Sequence, residues 1–281
     1  MKKILITGAN SYIGMSFEKY IKTHYADKYT VETMDMIDGS WREKSFAGYD
    51  SVFHVAGIAH QKETKKNAYL YYEINRDLAF DTAKKAKQDG VKQFVFLSSM
   101  SVYGIDTGVI TKETIPLPKS NYGKSKLEAE KLINTLIGDD FKVAILRPPM
   151  VYGRGCKGNF QAVLKIVKTV PVFPYVSNER SMIYIDNLCA FVRILVDGEY
   201  CGMYYPQNKE YMETSIMARY MARAMKKRLL FTRLGGLGIV IVRPFVKRLQ
   251  KAFGTLIYKD TEAFDYNYCI VDNEESVRKS V

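Results

Sequence analysis

Short apolar runs alternate with helical patterns along the first half of the chain. The runs ILI at 4–6 and FVFL at 94–97 are almost continuous, which is typical of strands buried on both faces. The pattern predicts strands over 3–7, 29–34, 51–55, 93–98 and 142–146, and helices over 12–22, 73–89, 122–137 and 160–169. This alternation of strands and helices indicates an α/β fold with a doubly wound parallel sheet.

The alternation weakens after the last of these strands. The segment RPPMVYGRGCKGN at 147–159 is rich in Pro and Gly, and such segments are typical of functional loops. We therefore expect a first domain over 1–155, with 180–197 returning to it, and a smaller C-terminal lobe over 156–281.

Composition and charge exclude several classes of protein. The four cysteines are scattered without metal-ligand spacing, so we expect no metal and no disulfide framework, and reduced thiols indicate the cytoplasm. No stretch approaches the roughly 18 apolar residues of a membrane span.

The net charge is +12, but we expect no nucleic-acid partner, because no recognition-helix pattern and no aromatic-interleaved basic stripe is visible. The denser basic region from Lys226 to Lys251 is interpreted as a solvated helix face, with a peripheral membrane contact as the alternative.

The first predicted strand leads into a turn that contains two glycines, TGANSYIG at 7–14, and then into a helix. Backbone amides at the start of a helix bind phosphate, and the helix dipole favours the negative charge. Gly8 permits a sharp turn, Gly14 permits close packing of helix on strand, and Ser11 stands where a third glycine is expected. The segment predicts a dinucleotide cradle formed by Gly8, Asn10, Ser11, Tyr12, Ile13 and Gly14.

An acidic residue follows the second predicted strand, where a dinucleotide site needs a partner for the adenosine ribose hydroxyls. Asp35 is the candidate. Asp38 competes with it, because strand ends are imprecise in a sequence-based prediction. A carboxylate at this place disfavours the additional phosphate of NADP, so we expect NAD as the cofactor.

A tyrosine and a lysine stand four residues apart in YGKSK at 122–126, on one face of the predicted helix. A phenol has a pKa of about 10 in water, so it needs a nearby cation to act as a base at neutral pH. Lys126 would lower the pKa of Tyr122 in this way. The preceding buried strand ends in serines, and the hydroxyl of Ser99, or of Ser101 as the alternative, would orient a substrate oxygen towards the phenol.

Together these segments resemble the extended short-chain dehydrogenase/reductases, in particular their UDP-glucose 4-epimerase-like branch of nucleotide-sugar epimerases and dehydratases. The resemblance covers most of the chain and is strongest from residue 3 to about 190. It rests on TGANSYIG, VFHVAG at 52–57, Asn75, SSMSVYG at 98–104, YGKSK, LRPPMVYGRG at 146–155 and RSMIYIDNL at 180–188. It implies a Rossmann-type fold with a C-terminal substrate lobe.

The resemblance also implies a role for each matched residue. Tyr122 would be the general acid/base, Lys126 would modulate it and bind the nicotinamide ribose, and Ser99 would hold the reacting sugar oxygen. Further cofactor contacts would come from Ala56, Gly57 and Pro149, and substrate contacts from Ser101, Asn159 and Arg180.

Three other polar residues receive structural interpretations. Asn75 would support the backbone around the active site, and His54 is interpreted as a core residue. His60 is interpreted as a surface histidine, with a place at the mouth of the active site as the alternative.

The implied reaction is epimerisation at carbon 4 of a UDP-sugar through a transient keto intermediate. One alternative is reduction of a nucleotide-linked 4-keto sugar by NAD(P)H. Another is a non-catalytic NAD-binding sensor, against which the intact Tyr122, Lys126 and Ser99 argue. Dehydration is disfavoured, because Met100 and Ser101 stand where a dehydratase carries an acid pair.

Members of this family commonly form dimers through a helix bundle. The resemblance therefore implies a homodimer through the helices at 73–89 and 122–137, and a role in polysaccharide biosynthesis.

Overall fold

The computed structural model describes residues 1–59, 61–261 and 264–281, without the side chains of Lys247 and Arg248. His60 lies outside the described residues. The described strands are β1 (Lys2–Thr7), β2 (Tyr29–Met34), β3 (Ser51–His54), β4 (Gln93–Leu97), β5 (Gly108–Ile110), β6 (Lys142–Leu146), β7 (Met150–Tyr152), β8 (Val172–Pro174), β9 (Met182–Tyr184), β10 (Gly202–Tyr204), β11 (Leu230–Thr232) and β12 (Leu256–Tyr258). The described α-helices are α1 (Tyr12–His24), α2 (Ala68–Tyr72), α3 (Leu78–Gln88), α4 (Asn121–Asn134), α5 (Asn159–Thr169), α6 (Ile185–Asp197), α7 (Thr214–Ala224), α8 (Arg233–Val242), α9 (Lys247–Phe253) and α10 (Asn273–Ser280).

Six strands form one parallel sheet in the order β10-β6-β4-β3-β1-β2. The chain turns from one side of β1 to the other between β2 and β3, so the switch point of the sheet lies between β1 and β3. Ligands of open α/β sheets bind outside the carboxyl ends of the strands at such a point. The predicted doubly wound α/β fold is confirmed.

The buried apolar runs explain why these strands form. Ile4, Leu5 and Ile6 of β1 are buried, as are Phe94, Val95 and Phe96 of β4, so each strand packs on both faces. The predicted bounds of β2 and β6 match the structure, whereas the three-residue β10 was not predicted.

The predicted helix over 73–89 is interrupted in the structure. Its first five residues, Glu73–Asp77, form one π-helical turn that joins α2 to α3. Single π turns of this kind are rare and often occur at functional sites. This one carries the buried Asn75.

The described chain divides into two compact units. Unit 1 consists of Met1–Gly104, Ile115–Pro148 and Leu188–Pro206 and contains the six-stranded sheet. Unit 2 consists of Ile105–Thr114, Pro149–Asn187 and Gln207–Val281. It contains three parallel strand pairs, β5 with β12, β7 with β9 and β8 with β11. None of the helices in the described ranges is long and apolar enough to cross a membrane.

Candidate active site

The turn after β1 brings the carboxyl ends of three neighbouring strands together in unit 1. The Gly8 N–H donates to the Met34 carbonyl of β2 at 2.9 Å, and the Ala56 N–H donates to the Thr7 carbonyl at 2.9 Å. Gly8 has φ +115°, and a Cβ atom on it would lie 2.6 Å from the Ala56 nitrogen. Only glycine therefore permits this close approach of the β1 turn to the end of β3.

Ser11 begins α1 as its N-cap residue. Its Oγ accepts a hydrogen bond from the Gly14 N–H at 3.1 Å, and its φ of −72° is one that any residue adopts. The position thus needs no glycine, and a serine there satisfies one backbone N–H of the first turn. Gly14 does need to be glycine, because its Cβ would lie 2.6 Å from Ser11 Oγ and 3.0 Å from a Val55 methyl carbon. Asn10 has φ 64°, a left-handed conformation that asparagine tolerates.

The two candidate acidic residues after β2 accept different hydrogen bonds. Asp35 comes directly after the last residue of β2, is exposed, and accepts a hydrogen bond from the Ile37 N–H at 2.9 Å. Asp38 accepts from both the hydroxyl and the N–H of Ser40, at 2.8 and 3.0 Å, and these bonds lower its pKa. Both carboxylates therefore close local turns, and Asp35 is the one that directly follows the strand end to which the Gly8 N–H is bound.

Two acceptors hold the start of α4, which carries Tyr122. The Ser120 Oγ accepts from the Gly123 N–H at 3.1 Å. The carboxylate of Glu63 accepts from the N–H groups of Asn121 and Tyr122 at 3.0 and 3.1 Å. Sequence analysis missed Glu63, because it lies in a loop 58 residues before Asn121 and no local pattern marks it.

A glycine brings the first turn of α4 against the serine segment after β4. A Cβ on Gly123 would lie 2.5 Å from the Ser101 carbonyl oxygen. The neighbouring Ser99 Oγ donates to Ser101 Oγ at 3.1 Å and accepts from the Ser101 N–H at 3.1 Å. The Ser99 hydroxyl also lies close enough to the Tyr122 phenol to lower its pKa. The structure therefore places Tyr122, Ser99 and Ser101 together.

Burial raises the pKa of the Tyr122 phenol above its ordinary value, and the Ser99 hydroxyl opposes that rise. We expected Lys126 to lower this pKa, whereas the net shift of the Tyr122 pKa in the structure is upward. The reason is that burial disfavours the phenolate, while the Lys126 ammonium donates to the Leu97 carbonyl at 2.8 Å.

Lys126 is itself a buried cation. Its Nζ lies 4.7 Å from the centre of the Phe96 ring. Burial lowers its pKa to about 8, and the negative charge of Glu130 acts to raise it. The ammonium is thus close to its titration point at neutral to mildly alkaline pH.

A buried ion pair lies one turn further along α4. Arg147 donates from Nε and Nη2 to the two carboxylate oxygens of Glu130 at 3.0 and 2.5 Å. The Ser98 hydroxyl donates to the same carboxylate, and Arg147 Nη1 donates to the Tyr103 hydroxyl at 2.8 Å. Sequence analysis missed this network, although Glu130 follows Lys126 at the same four-residue spacing as Lys126 follows Tyr122.

The loop after β3 is fixed by Asn75. Its Oδ1 accepts from the Ile58 N–H at 2.8 Å and its Nδ2 donates to the Ile58 carbonyl at 3.1 Å. A Cβ on Gly57 would lie 2.8 Å from Asn75 Oδ1 and 3.4 Å from Lys126 Nζ, so Gly57 lies beside the buried lysine. His54 is fully buried, and burial lowers its pKa to about 3, as expected for a core residue.

Unit 2 has a pocket of its own, which contains two of the predicted substrate residues, Asn159 and Arg180. The Arg180 guanidinium donates to the Gly254 carbonyl at 2.8 Å, and burial lowers its pKa. The other walls include Met150, Met182, Met212, Met217, Thr214 and Lys251. Pro149, predicted to contact the cofactor, is buried directly before β7.

Comparison with known proteins identifies the family. A model of the NAD dependent epimerase/dehydratase family matches residues 4–199, and the chain belongs to this family. It is 31% identical over 251 residues to a UDP-glucose 4-epimerase of Vibrio cholerae, covering 80% of this chain and 76% of that protein. The predicted family, the predicted cofactor NAD and the assignment to enzymes of the isomerase or oxidoreductase kind are confirmed.

Two solved structures show the same fold. The UDP-glucuronic acid 4-epimerase of Bacillus cereus, in complex with NAD, superposes with a TM-score of 0.73 at 18% identity, over 99% of this chain and 97% of that one. A dTDP-4-dehydrorhamnose reductase of Clostridium acetobutylicum superposes with a TM-score of 0.67 at 23% identity, over 82% of each chain. One fold therefore serves both epimerisation and reduction among the structures similar to this chain.

Proposed function

We propose that the protein is an NAD-dependent epimerase that inverts carbon 4 of a nucleotide-linked sugar, with UDP as the nucleotide. The observation that carries the proposal is the position of Tyr122 beside the serine segment after β4, where Gly123 brings the first turn of α4 against Ser101. The Lys126 cation lies one turn further along α4. This arrangement provides a proton acceptor beside a hydroxyl that can hold the reacting oxygen. The relative from Vibrio cholerae supports the choice of an epimerase of a UDP-sugar.

The residues of unit 1 fit NAD. An added Cβ atom on Gly8 would lie 2.6 Å from the Ala56 nitrogen, so glycine at this position permits the close turn that leads from β1 into α1. The positive end of the α1 dipole at this turn suits a diphosphate. When bound there, NAD would supply reversible hydride transfer at the sugar carbon. We assign its binding to Gly8, Asn10, Ser11, Tyr12, Ile13, Gly14, Asp35, Ala56, Gly57, Lys126 and Pro149.

The protein's own groups would then move one proton and hold one oxygen. The Tyr122 oxygen takes the proton of the sugar hydroxyl as the carbonyl forms, and gives it back when the hydroxyl is restored. Ser99 Oγ donates to the sugar oxygen and fixes its direction, with Ser101 supporting Ser99. Lys126 supplies a positive charge beside the cofactor residue Gly57, which favours the phenolate form of Tyr122 against the effect of burial.

Basic and amide groups at the pocket of unit 2 support a contact with the diphosphate of the substrate. Arg180 and Lys251 bring two positive charges to it, and Asn159 adds an amide at the start of α5. A guanidinium matches phosphate oxygens in a bidentate manner. We therefore assign Asn159 and Arg180 to substrate binding. We also infer a homodimer through the segments at 73–89 and 122–137.

The first test is the nucleotide that the purified protein releases on denaturation, measured by mass spectrometry. Near-stoichiometric NAD supports an epimerase, because a recycled cofactor need not leave. The second test uses a UDP-sugar that carries deuterium at carbon 4. An epimerase returns the label to carbon 4 of the inverted sugar, with no net change in absorbance from NADH.

A different result would identify the alternative. If the protein is isolated empty and oxidises NADH or NADPH only when a nucleotide-linked 4-keto sugar is added, it is a reductase. If it binds NAD but converts neither class of substrate, the non-catalytic sensor is supported and the epimerase is excluded.

A further inference from the structure

Helix α8 of unit 2 packs through its glycines. Gly236 is buried, and a Cβ on it would lie 1.8 Å from the Tyr175 carbonyl oxygen. On the neighbouring Gly235, a Cβ would lie 3.8 Å from Pro174. The side of α8 that faces the protein therefore rests on the backbone at the end of β8, where a larger side chain does not fit.

The apolar side chains of α8 point the other way. Leu234, Leu237 and Ile241 are 84%, 59% and 62% exposed, and Phe245 in the turn after the helix is 87% exposed. Their spacing of three and four residues places the three helical side chains on one face. An ordinary surface helix buries such a face and exposes its polar side. Contiguous exposed apolar surface of this kind marks an interaction site.

The surrounding segment has an unusual charge. The sequence from Thr214 to Lys259 contains eleven Lys and Arg residues and no Asp or Glu, whereas the whole chain has a net charge of +12. Two of the basic residues, Arg228 and Arg233, are exposed shortly before the apolar face or at its start. Arg223 pairs with Glu274 and Lys251 with Asp106, and the apolar face is flanked by a segment that contains no acidic residue of its own.

We propose that α8 and the turn through Phe245 dock on the surface of an anionic phospholipid bilayer. A ten-residue helix is about 15 Å long, half the thickness of the hydrocarbon core of about 30 Å, so it lies in the interface. An interfacial helix binds by burying apolar side chains among the lipids while basic residues attract anionic headgroups. The segment offers both features. The positive charge disfavours a second copy of this chain as the occupant, because two such segments would repel each other.

The test is flotation of the purified full-length protein with vesicles of phosphatidylcholine alone or of phosphatidylcholine with phosphatidylglycerol. We expect binding at least about tenfold stronger with the anionic lipid, and weaker binding in molar salt. The variant Leu234→Ser/Leu237→Ser/Ile241→Ser should lose about tenfold or more of this affinity. A matched control replaces three exposed apolar residues elsewhere: Ile115→Ser, Leu117→Ser and Ile270→Ser.

A second pair of variants tests the charge. Arg228→Glu/Arg233→Glu should weaken binding to the anionic vesicles, whereas Lys19→Glu/Lys92→Glu, with the same change in net charge at exposed sites, should not. Equal loss with both pairs would show attraction by overall charge and would overturn the proposal. Binding to single-stranded DNA or RNA that survives the serine variant, without binding to vesicles, would also overturn it. So would a dimer in light scattering that the serine variant converts to monomers while vesicle binding is absent.

Discussion

Helices α4 and α8 both depart from the usual arrangement of a surface helix, but in opposite ways. α4 buries two charged side chains, Lys126 and Glu130, whereas α8 buries a single glycine, Gly236, and exposes leucine and isoleucine. The buried charges of α4 find partners within the chain, at the Leu97 carbonyl and the Arg147 guanidinium. The exposed face of α8 finds none among the described residues, so its partner is expected outside the chain.

The difference shows where the two kinds of function lie. A buried charge costs free energy unless it is paired and hydrogen-bonded, so α4 retains its two charges only with the support of Leu97, Ser98 and Arg147. An exposed apolar face needs no partner within the chain, and it acts only when another molecule binds to it. Chemistry is therefore expected of α4 and docking of α8.

The largest effect is expected at Tyr122. The change Tyr122→Phe removes the proton acceptor, so epimerisation should fall by about 10³-fold while bound NAD is retained. The measurement is turnover together with the NAD content of the purified variant. Tyr69→Phe, at an exposed tyrosine of the neighbouring helix α2, is the control and should keep its activity. Full activity of Tyr122→Phe would contradict the role proposed for α4.

The buried ion pair of α4 gives the next prediction. Glu130→Gln leaves Arg147 without its counter-charge, so the free energy of unfolding should fall by about 3 kcal/mol. The same change removes the negative charge that raises the pKa of Lys126. That pKa, about 8 in the intact protein, should therefore fall, and the loss of kcat/KM at alkaline pH should begin at a lower pH.

A matched control lies on the same helix. Glu128 pairs with Arg76 at 2.8 Å on a partly exposed surface, so Glu128→Gln should cost less than about 1 kcal/mol and leave the pH profile unchanged. A destabilised Glu130→Gln enzyme with an unchanged pH profile would show that the pair only supports the fold.

The glycines of α8 provide an internal comparison. A Cβ on Gly236 would meet the Tyr175 carbonyl oxygen at 1.8 Å, whereas one on Gly238 meets nothing within 4 Å. Gly236→Ala should therefore lower the free energy of unfolding by about 2 kcal/mol, and Gly238→Ala should raise it by about 0.5–1 kcal/mol. Chemical denaturation measures both. Equal effects of the two substitutions would mean that α8 does not rest on its glycine side.

Sequence predicted the first unit far better than the second. Parallel strands buried on both faces are almost continuous apolar runs, so β1 to β4 and β6 were predicted to within one residue at each end. The strands of unit 2 have three residues each, too few to show a period.

The residues of the candidate site also differ in how well the sequence predicts them. The glycine turn and the YGKSK segment are local patterns, and the structure brings Tyr122 of that segment to Ser99. Glu63 and the Glu130–Arg147 pair act through contacts between distant positions, which no local pattern marks. For the basic region from Lys226 to Lys251, sequence located the charge correctly. It left a solvated helix face and a peripheral membrane contact open, because composition does not reveal that α8 buries Gly236 and exposes its apolar side chains.

The smallest effect is expected in α1, a helix that follows the usual rule by burying Gly14, Phe17, Tyr20 and Ile21. The Ser11 side chain caps this helix, so Ser11→Ala should cost about 1 kcal/mol of stability and Ser11→Gly a few tenths. Because its φ is already ordinary, the glycine should gain nothing for the turn, and NAD affinity measured by calorimetry should stay within about twofold. A marked increase in affinity for Ser11→Gly would show that the serine obstructs the cradle. In that case the residue at position 11 would stabilise α1 at the expense of NAD binding.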